Sequence, residues 1–218
     1  FEMPIEDREY PNNNKNVMDN KEIKLAVKAL NKMGVIVFPT DTVYGIGSLP
    51  NKDAIIRIYK IKKRDFSKKI IALVDKYDRI FEIIDETDEN IKKIFKVLQN
   101  FWPGELTIVF NAKRDFVDIF DDEMETIGIR IPKNETALEI IKNVGGIVLT
   151  TSANISGENG VSDIKDINEE LLKKVDFVIK EEHELTGVPS TIIKYEGGKI
   201  SLLREGRITL DDIEKLID

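Results

Sequence analysis

Apolar positions recur at helical spacing from Lys21 to Met33, where Ile23, Ala26, Val27, Leu30 and Met33 fall near one face. Gly34 stops that helix before an apolar strand over Val35 to Phe38. Asn51 or Asp53 can cap a second helix, which carries Ile55, Ile58 and Tyr59 and ends near Lys62. The short run Ile70 to Val74 has the length of a buried strand. Ile91, Ile94, Phe95 and Leu98 give a further amphipathic helix, broken by Trp102-Pro103-Gly104. Leu106 to Phe110 and Thr126 to Ile131 read as strands, Thr136 to Val144 as a helix stopping at Gly145-Gly146, and Ile147 to Thr151 as another buried strand. Past a glycine-rich loop, Ile167 to Lys173 reads as helical, Phe177 to Lys180 as extended, and Thr191 to Leu203 as a hairpin folded at Glu196-Gly197-Gly198. Thr209, with Asp212 three positions on, opens a last helix. Strands and helices interleave throughout, so the expected class is α/β, a twisted mixed sheet covered by helices.

Length and composition narrow the picture. At 218 residues the chain suits one well-filled core better than two, with a polar arm over 1–20 that has the composition of a flexible segment and a single domain over 21–218. No apolar run approaches the roughly 20 residues that span a bilayer, and the acidic, then Asn-rich start lacks the features of a secretory signal. The expected location is cytoplasmic, with no membrane partner.

Absent residue types restrict the chemistry further. There is no cysteine, which excludes disulfides, thiolate nucleophiles and cysteine-held zinc. The single histidine, His183, sits in the charged stretch Lys180 to Glu184 and reads as a solvated residue. Chemistry is left to carboxylates, hydroxyls, lysines, arginines, backbone amides or a cofactor. A net charge of -7 argues against broad binding to nucleic acid, since that depends on cations neutralising phosphates, but leaves room for a local basic pocket.

Four segments resist a packing explanation. Pro39-Thr40-Asp41-Thr42-Val43-Tyr44-Gly45-Ile46-Gly47 follows a buried strand, where open α/β sheets put ligands; its glycines permit close approach. Thr and Asp also fold back on their own backbone, so a capped turn accounts for the same letters. Lys60 to Arg64, with Lys68-Lys69 beyond, can converge on phosphates, or can be a solvated face. Leu149 to Gly157 runs from an apolar strand into Thr150, Thr151, Ser152, Asn154 and Ser156, short donors of the kind that nest anionic ligands, with Ser162 a few residues on. The last is Pro189-Ser190-Thr191 together with Leu203 to Arg207, at opposite ends of the expected hairpin. Arg204 ends an apolar strand and Arg130 lies inside one, and cations so placed need a cleft or a partner. Arg207 reads as a surface residue.

Taken in order, these segments resemble the YrdC-like family of threonylcarbamoyl-adenylate synthases. The likeness rests on Pro39 to Gly47, Lys62 with Arg64, Phe101-Trp102-Pro103-Gly104 with Leu106-Thr107, Arg130 before Pro132, Thr151 to Gly157, Pro189-Ser190-Thr191, and Leu203-Arg204 with Gly206-Arg207, collinear over roughly residues 21 to 210. The resemblance implies a YrdC-like, RibB-like fold with a basic concave cavity. It implies the reaction of L-threonine, bicarbonate and ATP to threonylcarbamoyl-adenylate and pyrophosphate, for threonylcarbamoyladenosine in tRNA. It implies threonine at Thr42, Arg130, Thr150 and Ser190, and ATP at Lys62, Arg64, Lys68, Ser152, Asn154, Ser162 and Arg204, with Lys62 and Arg64 as the catalytic cations. Magnesium comes with the ATP phosphates and no protein ligand is assigned to it. A tRNA threonylcarbamoyl transferase receives the product, and direct tRNA binding is expected to be weak or nil.

The chain departs from the family pattern at Lys63, often glycine, at Lys69, often proline, and at Leu73, where histidine is often found. These bear on residue assignments rather than on the reaction. Ending at Asp218, the chain resembles the short form without an added C-terminal domain. Two readings stand beside this one: an RNA-binding or ribosome-associated factor using the same cavity without catalysis, and a carbamoyl-adenylate enzyme with another acceptor.

Overall fold

The chain adopts an open nine-stranded sheet whose strands are short and whose register decides which side chains meet. The computed structural model describes residues 20–65, 70–180 and 184–217. The expected arm, Lys68, Lys69 and His183 therefore fall outside the described residues, apart from the arm's last residue.

Helix α1 spans Asn20–Asn31 and is followed by Met33 in the left-handed region, φ 59°. Strand β1 is Ile36–Phe38 and β2 is Gly45–Ser48. Helix α2, Lys52–Lys62, starts where Asn51 accepts from the Ala54 amide, as its sequence predicts. Strand β3 (Ile71–Val74), a short α3 (Ile80–Ile83) and α4 (Asp88–Phe101) follow, α4 capped by the Thr87 hydroxyl. Next come β4 (Leu106–Asn111), α5 (Arg114–Val117), β5 (Thr126–Arg130), α6 (Glu135–Asn143) and β6 (Ile147–Ser152). The chain closes with α7 (Glu169–Leu172), β7 (Phe177–Val178), the hairpin of β8 (Thr191–Glu196) and β9 (Lys199–Arg204), and α8 (Leu210–Glu214). Thr209 and Asp212 form the expected reciprocal cap on α8.

The strand order is β7-β1-β2-β6-β3-β5-β4-β8-β9. The pairs β1/β7, β3/β5 and β4/β8 are parallel and the others antiparallel, so the sheet is mixed as expected. Side-chain alternation gives it two faces. On one, Val37, Ile46, Ala72, Ile108, Ile129, Leu149 and Ile193 pack with Ile55 and Ile58 of α2 and Ile91, Ile94 and Leu98 of α4. On the other, Ile36, Phe38, Leu73 and Val148 pack with Ile23, Ala26 and Leu30 of α1 and Ala137, Ile140 and Ile141 of α6. That second core draws its buried strand residues from β1, β3 and β6, leaving the same face of β5, β4 and β8 without a helical cover among the described residues.

Three expectations need correction. Gly45 to Gly47 is not loop but strand, and a Cβ on Gly47 would stand 2.7 Å from the Leu149 carbonyl oxygen and 3.1 Å from Phe38. The glycine there serves close packing of the sheet on itself. The helix read over Ile167 to Lys173 is present but shorter: α7 begins only after Asn168, whose side chain accepts from the Glu170 and Leu171 amides, and a separate 3-10 turn, Ile164–Asp166, precedes it. Strand β9 is apolar in letters but largely exposed, with Leu203 57% accessible, because it is the outer strand of the sheet. The pattern also gave no sign of α3 and α5, single turns too short to show periodicity. No helix among the described residues is long and apolar enough to cross a membrane.

Gly47→Ala should lower stability by about 1–3 kcal/mol, because the new methyl meets backbone rather than a movable side chain. Urea unfolding at constant m-value measures this. An unchanged midpoint would show that the β2/β6 pair yields at this point.

Candidate active site

A cavity of about 360 Å³ lies over the uncovered part of the sheet. Register builds its floor. Leu73 pairs with Arg130, Thr107 with Ile192, and Ile192 with Arg204, while Ile108 facing Ile129 in an antiparallel pair puts Thr107 opposite Arg130 at the next step. Paired residues on neighbouring strands share a face, so Arg130, Thr107 and Arg204 all turn toward the cavity, and all line it. Its walls come from Thr40, Thr42, Val43, Tyr44 and Gly45 on one side and from Thr150, Thr151 and Ser152 at the end of β6. Arg64, just past α2, and the segments Glu158-Asn159-Gly160 and Pro189-Ser190 complete it.

The loop after β1 is the capped turn foreseen for it, and it also lines the cavity. The Thr40 hydroxyl donates to the Val43 carbonyl (2.7 Å) and accepts from the amides of Thr42 (3.2 Å) and Val43 (3.3 Å), which makes it a side-chain-closed turn. That turn holds Thr42 on the cavity and sends Asp41 behind it. The Arg130 guanidinium donates from Nη2 to Asp41 Oδ1 (2.5 Å) and from Nη1 to Thr42 Oγ1 (3.1 Å). Arg130 is 3% accessible, and burial pulls its pKa below the ordinary arginine value, against the charges of Asp41 and then Glu105. Asp41 Oδ2 and Arg130 Nε are buried without a hydrogen-bond partner, so this pair is incompletely satisfied among the described residues.

Arg64 reaches across to β6, donating from Nη1 to Thr151 Oγ1 at 2.8 Å, with its guanidinium carbon 6.0 Å from the centre of the Tyr59 ring. Burial lowers its pKa, opposed by Tyr59, whose own phenol is raised by burial. Ser190 is buried and its hydroxyl shares a 2.8 Å hydrogen bond with Thr107 Oγ1. Its carbonyl accepts from Arg204 Nε (3.1 Å) and Nη2 (2.8 Å). Burial and then the charge of Arg130 lower the pKa of Arg204. Thr150 lines the cavity while its hydroxyl donates to the Ile46 carbonyl at 3.0 Å.

Of the residues singled out from the sequence, Thr42, Arg64, Arg130, Thr150, Ser152, Ser190 and Arg204 converge here. Three do not. Lys62 is fully buried beside the cavity rather than on its lining, its Nζ donating to the Ser152 carbonyl and its own carbonyl accepting from the Ser156 amide. Asn154 turns inward, its Nδ2 donating to the carbonyls of Ile155 (2.9 Å) and Glu158 (2.8 Å), which pins the loop. Ser162 is exposed and lies off the lining, against Gly187. Lys68 lies outside the described residues. Sequence reasoning assigned no substrate to Asp41, Thr107 or Glu158. Parity within β4, where Thr107 alternates with the core residue Ile108, could have found Thr107. Nothing in the letters marks Asp41 as the partner of Arg130, 89 positions away.

Comparison with known proteins bears on the family and the fold. The Sua5/YciO/YrdC family model, described as "Telomere recombination", matches residues 28–206. A Methanocaldococcus jannaschii protein, provisionally named a threonylcarbamoyl-AMP synthase, is 37% identical over 183 residues, 83% of this chain and 84% of that one. The threonylcarbamoyl-AMP synthase of Pseudoalteromonas translucida is 28% identical over 84% of this chain and 97% of its own. The crystal structure of Pyrococcus abyssi Sua5 complexed with L-threonine superposes with a TM-score of 0.84 at 27% identity, covering 93% of this chain and 59% of that longer one.

Removing Asp41 should leave a buried guanidinium without its counter-charge. Asp41→Ala should therefore cost about 3–5 kcal/mol in urea unfolding, and adding Arg130→Met should restore most of the loss. A double variant no more stable than the single one would mean that the pair does not act as a unit.

Proposed function

The chain belongs to the Sua5/YciO/YrdC family, and from that premise we propose that it is an L-threonylcarbamoyladenylate synthase, converting L-threonine, bicarbonate and ATP to threonylcarbamoyl-AMP and pyrophosphate. The observation that carries the proposal is the single face on which Arg130, Thr107 and Arg204 meet, with Arg64 opposite, around one cavity. Such a site suits two anionic substrates held side by side.

The threonine amine, made carbamate by carbon dioxide from bicarbonate, supplies the nucleophile. Its oxygen attacks the α-phosphorus of ATP, and the bond to the β-phosphate bridging oxygen breaks to release pyrophosphate. The protein then needs no nucleophile of its own, in keeping with a chain that lacks cysteine. Its work is positioning and charge stabilisation. Arg130 takes the threonine carboxylate, with Thr42, Thr150 and Ser190 around the rest of the amino acid. Arg64, Ser152 and Arg204 hold the nucleotide, which enters as its magnesium complex. Lys62 acts on the nucleotide side through the Ser152 carbonyl that it holds. A tRNA threonylcarbamoyl transferase in the cytoplasm receives the product, with little or no direct binding of tRNA by this chain.

Purified protein given magnesium ATP, threonine and bicarbonate should release pyrophosphate only when all are present; release no greater than background would overturn the proposal. In that assay Arg64→Ala should lower kcat/KM by about 10²–10³. Arg207→Ala should lower it less than about fivefold, since that side chain is exposed and 3.6 Å from Glu105 in an outer ion pair. Serine in place of threonine should be used roughly 10–100-fold less efficiently, because one methyl group is all that the pocket has to discriminate.

A further inference from the structure

Arg204 lines the cavity, and it arrives there through an irregularity in the sheet. Strand β9 pairs Leu202 with Ile193 and then Arg204 with Ile192, so Leu203 is one residue too many. Strict alternation would set Leu203 over the cavity, opposite Ile192. The bulge sets Arg204 there instead and leaves Leu203 in solvent.

So aimed, Arg204 closes on Ser190 rather than pointing freely into the cavity. Nε and Nη2 both donate to the Ser190 carbonyl, with Nη2 3.5 Å from the Ser190 hydroxyl, and Nη1 makes no hydrogen bond among the described residues. The segment that follows clasps the same place: the Gly206 amide donates to Thr191 Oγ1 at 2.8 Å, and a Cβ on Gly206 would stand 2.4 Å from the Pro189 carbonyl. Ser190 in turn meets Thr107, beside Arg130 on the floor.

We propose that Arg204 is a positioning residue that couples the two substrate subsites, so that nucleotide and threonine each tighten the binding of the other through the Arg204–Ser190 contact. This rests on the reading above, with phosphate on the Arg204 side and threonine at Ser190. Arg204 stands on an exposed outer strand, and its long side chain loses rotamer freedom when it closes on Ser190. A phosphate engaging Nη1 fixes the guanidinium, and with it the backbone that carries the Ser190 hydroxyl. Threonine then meets a site already ordered, and linkage makes the effect reciprocal.

Calorimetric titration tests this with threonine, and with the non-hydrolysable analogue adenylyl imidodiphosphate plus magnesium, each alone and in the presence of the other. In the wild-type protein the threonine Kd should fall about tenfold when the analogue is bound, with the same factor in the reverse titration. Arg204→Lys keeps the charge and loses the planar fork. It should still bind the analogue, yet reduce the coupling factor to less than about twofold. Arg204→Ala carries the same expectation for the factor, so a folding defect in one variant leaves the other to decide. Ser190→Ala, which keeps the carbonyl but removes the hydroxyl that threonine meets, should leave the analogue affinity in place and likewise reduce the coupling factor to less than about twofold. A wild-type factor near one, or an unchanged factor in the Arg204 variants, overturns the inference while leaving the substrates in place. Failure of the wild-type protein to bind either ligand overturns the substrate reading itself, and the inference with it.

Discussion

A guanidinium held under a cavity floor is the constraint around which the rest is arranged. Arg130 ends a strand whose isoleucines, Ile127 and Ile129, are core residues, and taking its charge out of water is costly unless partners come with it. Asp41 and Thr42 supply them, and they are brought there by a turn that Thr40 closes with its own hydroxyl. The loop after β1 is therefore shaped as much by the needs of β5, four places from β1 in the sheet, as by any ligand. Because Asp41 neutralises from behind, Thr42 and one side of the cavity remain available in front.

The cavity itself follows from an incomplete covering. Helices α1 and α6 pack over β1, β3 and β6, and the same face of β5, β4 and β8 carries Arg130, Thr107 and Ile192 in place of a second apolar layer. Among the described residues those strands are stabilised from the opposite face, by Leu106, Ile108, Phe110, Ile127, Ile129, Ile193 and Tyr195. A sheet packed on one face can present polar side chains on the other, in alternation, without giving up its core. The outer strand β9 then closes the row with Arg204, at the cost of one exposed leucine in a bulge.

Much of this architecture was legible in the sequence because it rests on local physics. Helices α1, α2, α4 and α6 show in the spacing of isoleucine and leucine, and three of them begin at side-chain caps that the letters announce or allow. The convergence of Thr42, Arg64, Arg130, Ser152, Ser190 and Arg204 was legible only through resemblance, since it joins segments from both ends of the chain. What escaped reading escaped for physical reasons. Single-turn helices have no period, as at Ile80–Ile83. Glycines at Gly45 and Gly47 look like a flexible loop in letters, yet they are required by the close approach of β2 to β6. The partner of Arg130 and the bulge at Leu203 depend on register, which no local pattern encodes.

The same distinction separates two cations that the sequence puts side by side. Lys62 and Arg64 are two residues apart, and a charge count treats them as one phosphate-binding pair. The end of α2 separates them: Lys63 adopts a left-handed conformation, φ 50°, so the chain turns between the two. Lys62 remains on the helix, facing inward, where its ammonium and its carbonyl both bond the loop from Ser152 to Ser156. Arg64 leaves the helix and lies along the cavity against Thr151 and Tyr59. One cation shapes the loop and the other faces the ligand space. The glycine that the family resemblance leads one to expect at the intervening position would adopt that turn without the strain a side chain brings, and Lys63 takes the same left-handed turn.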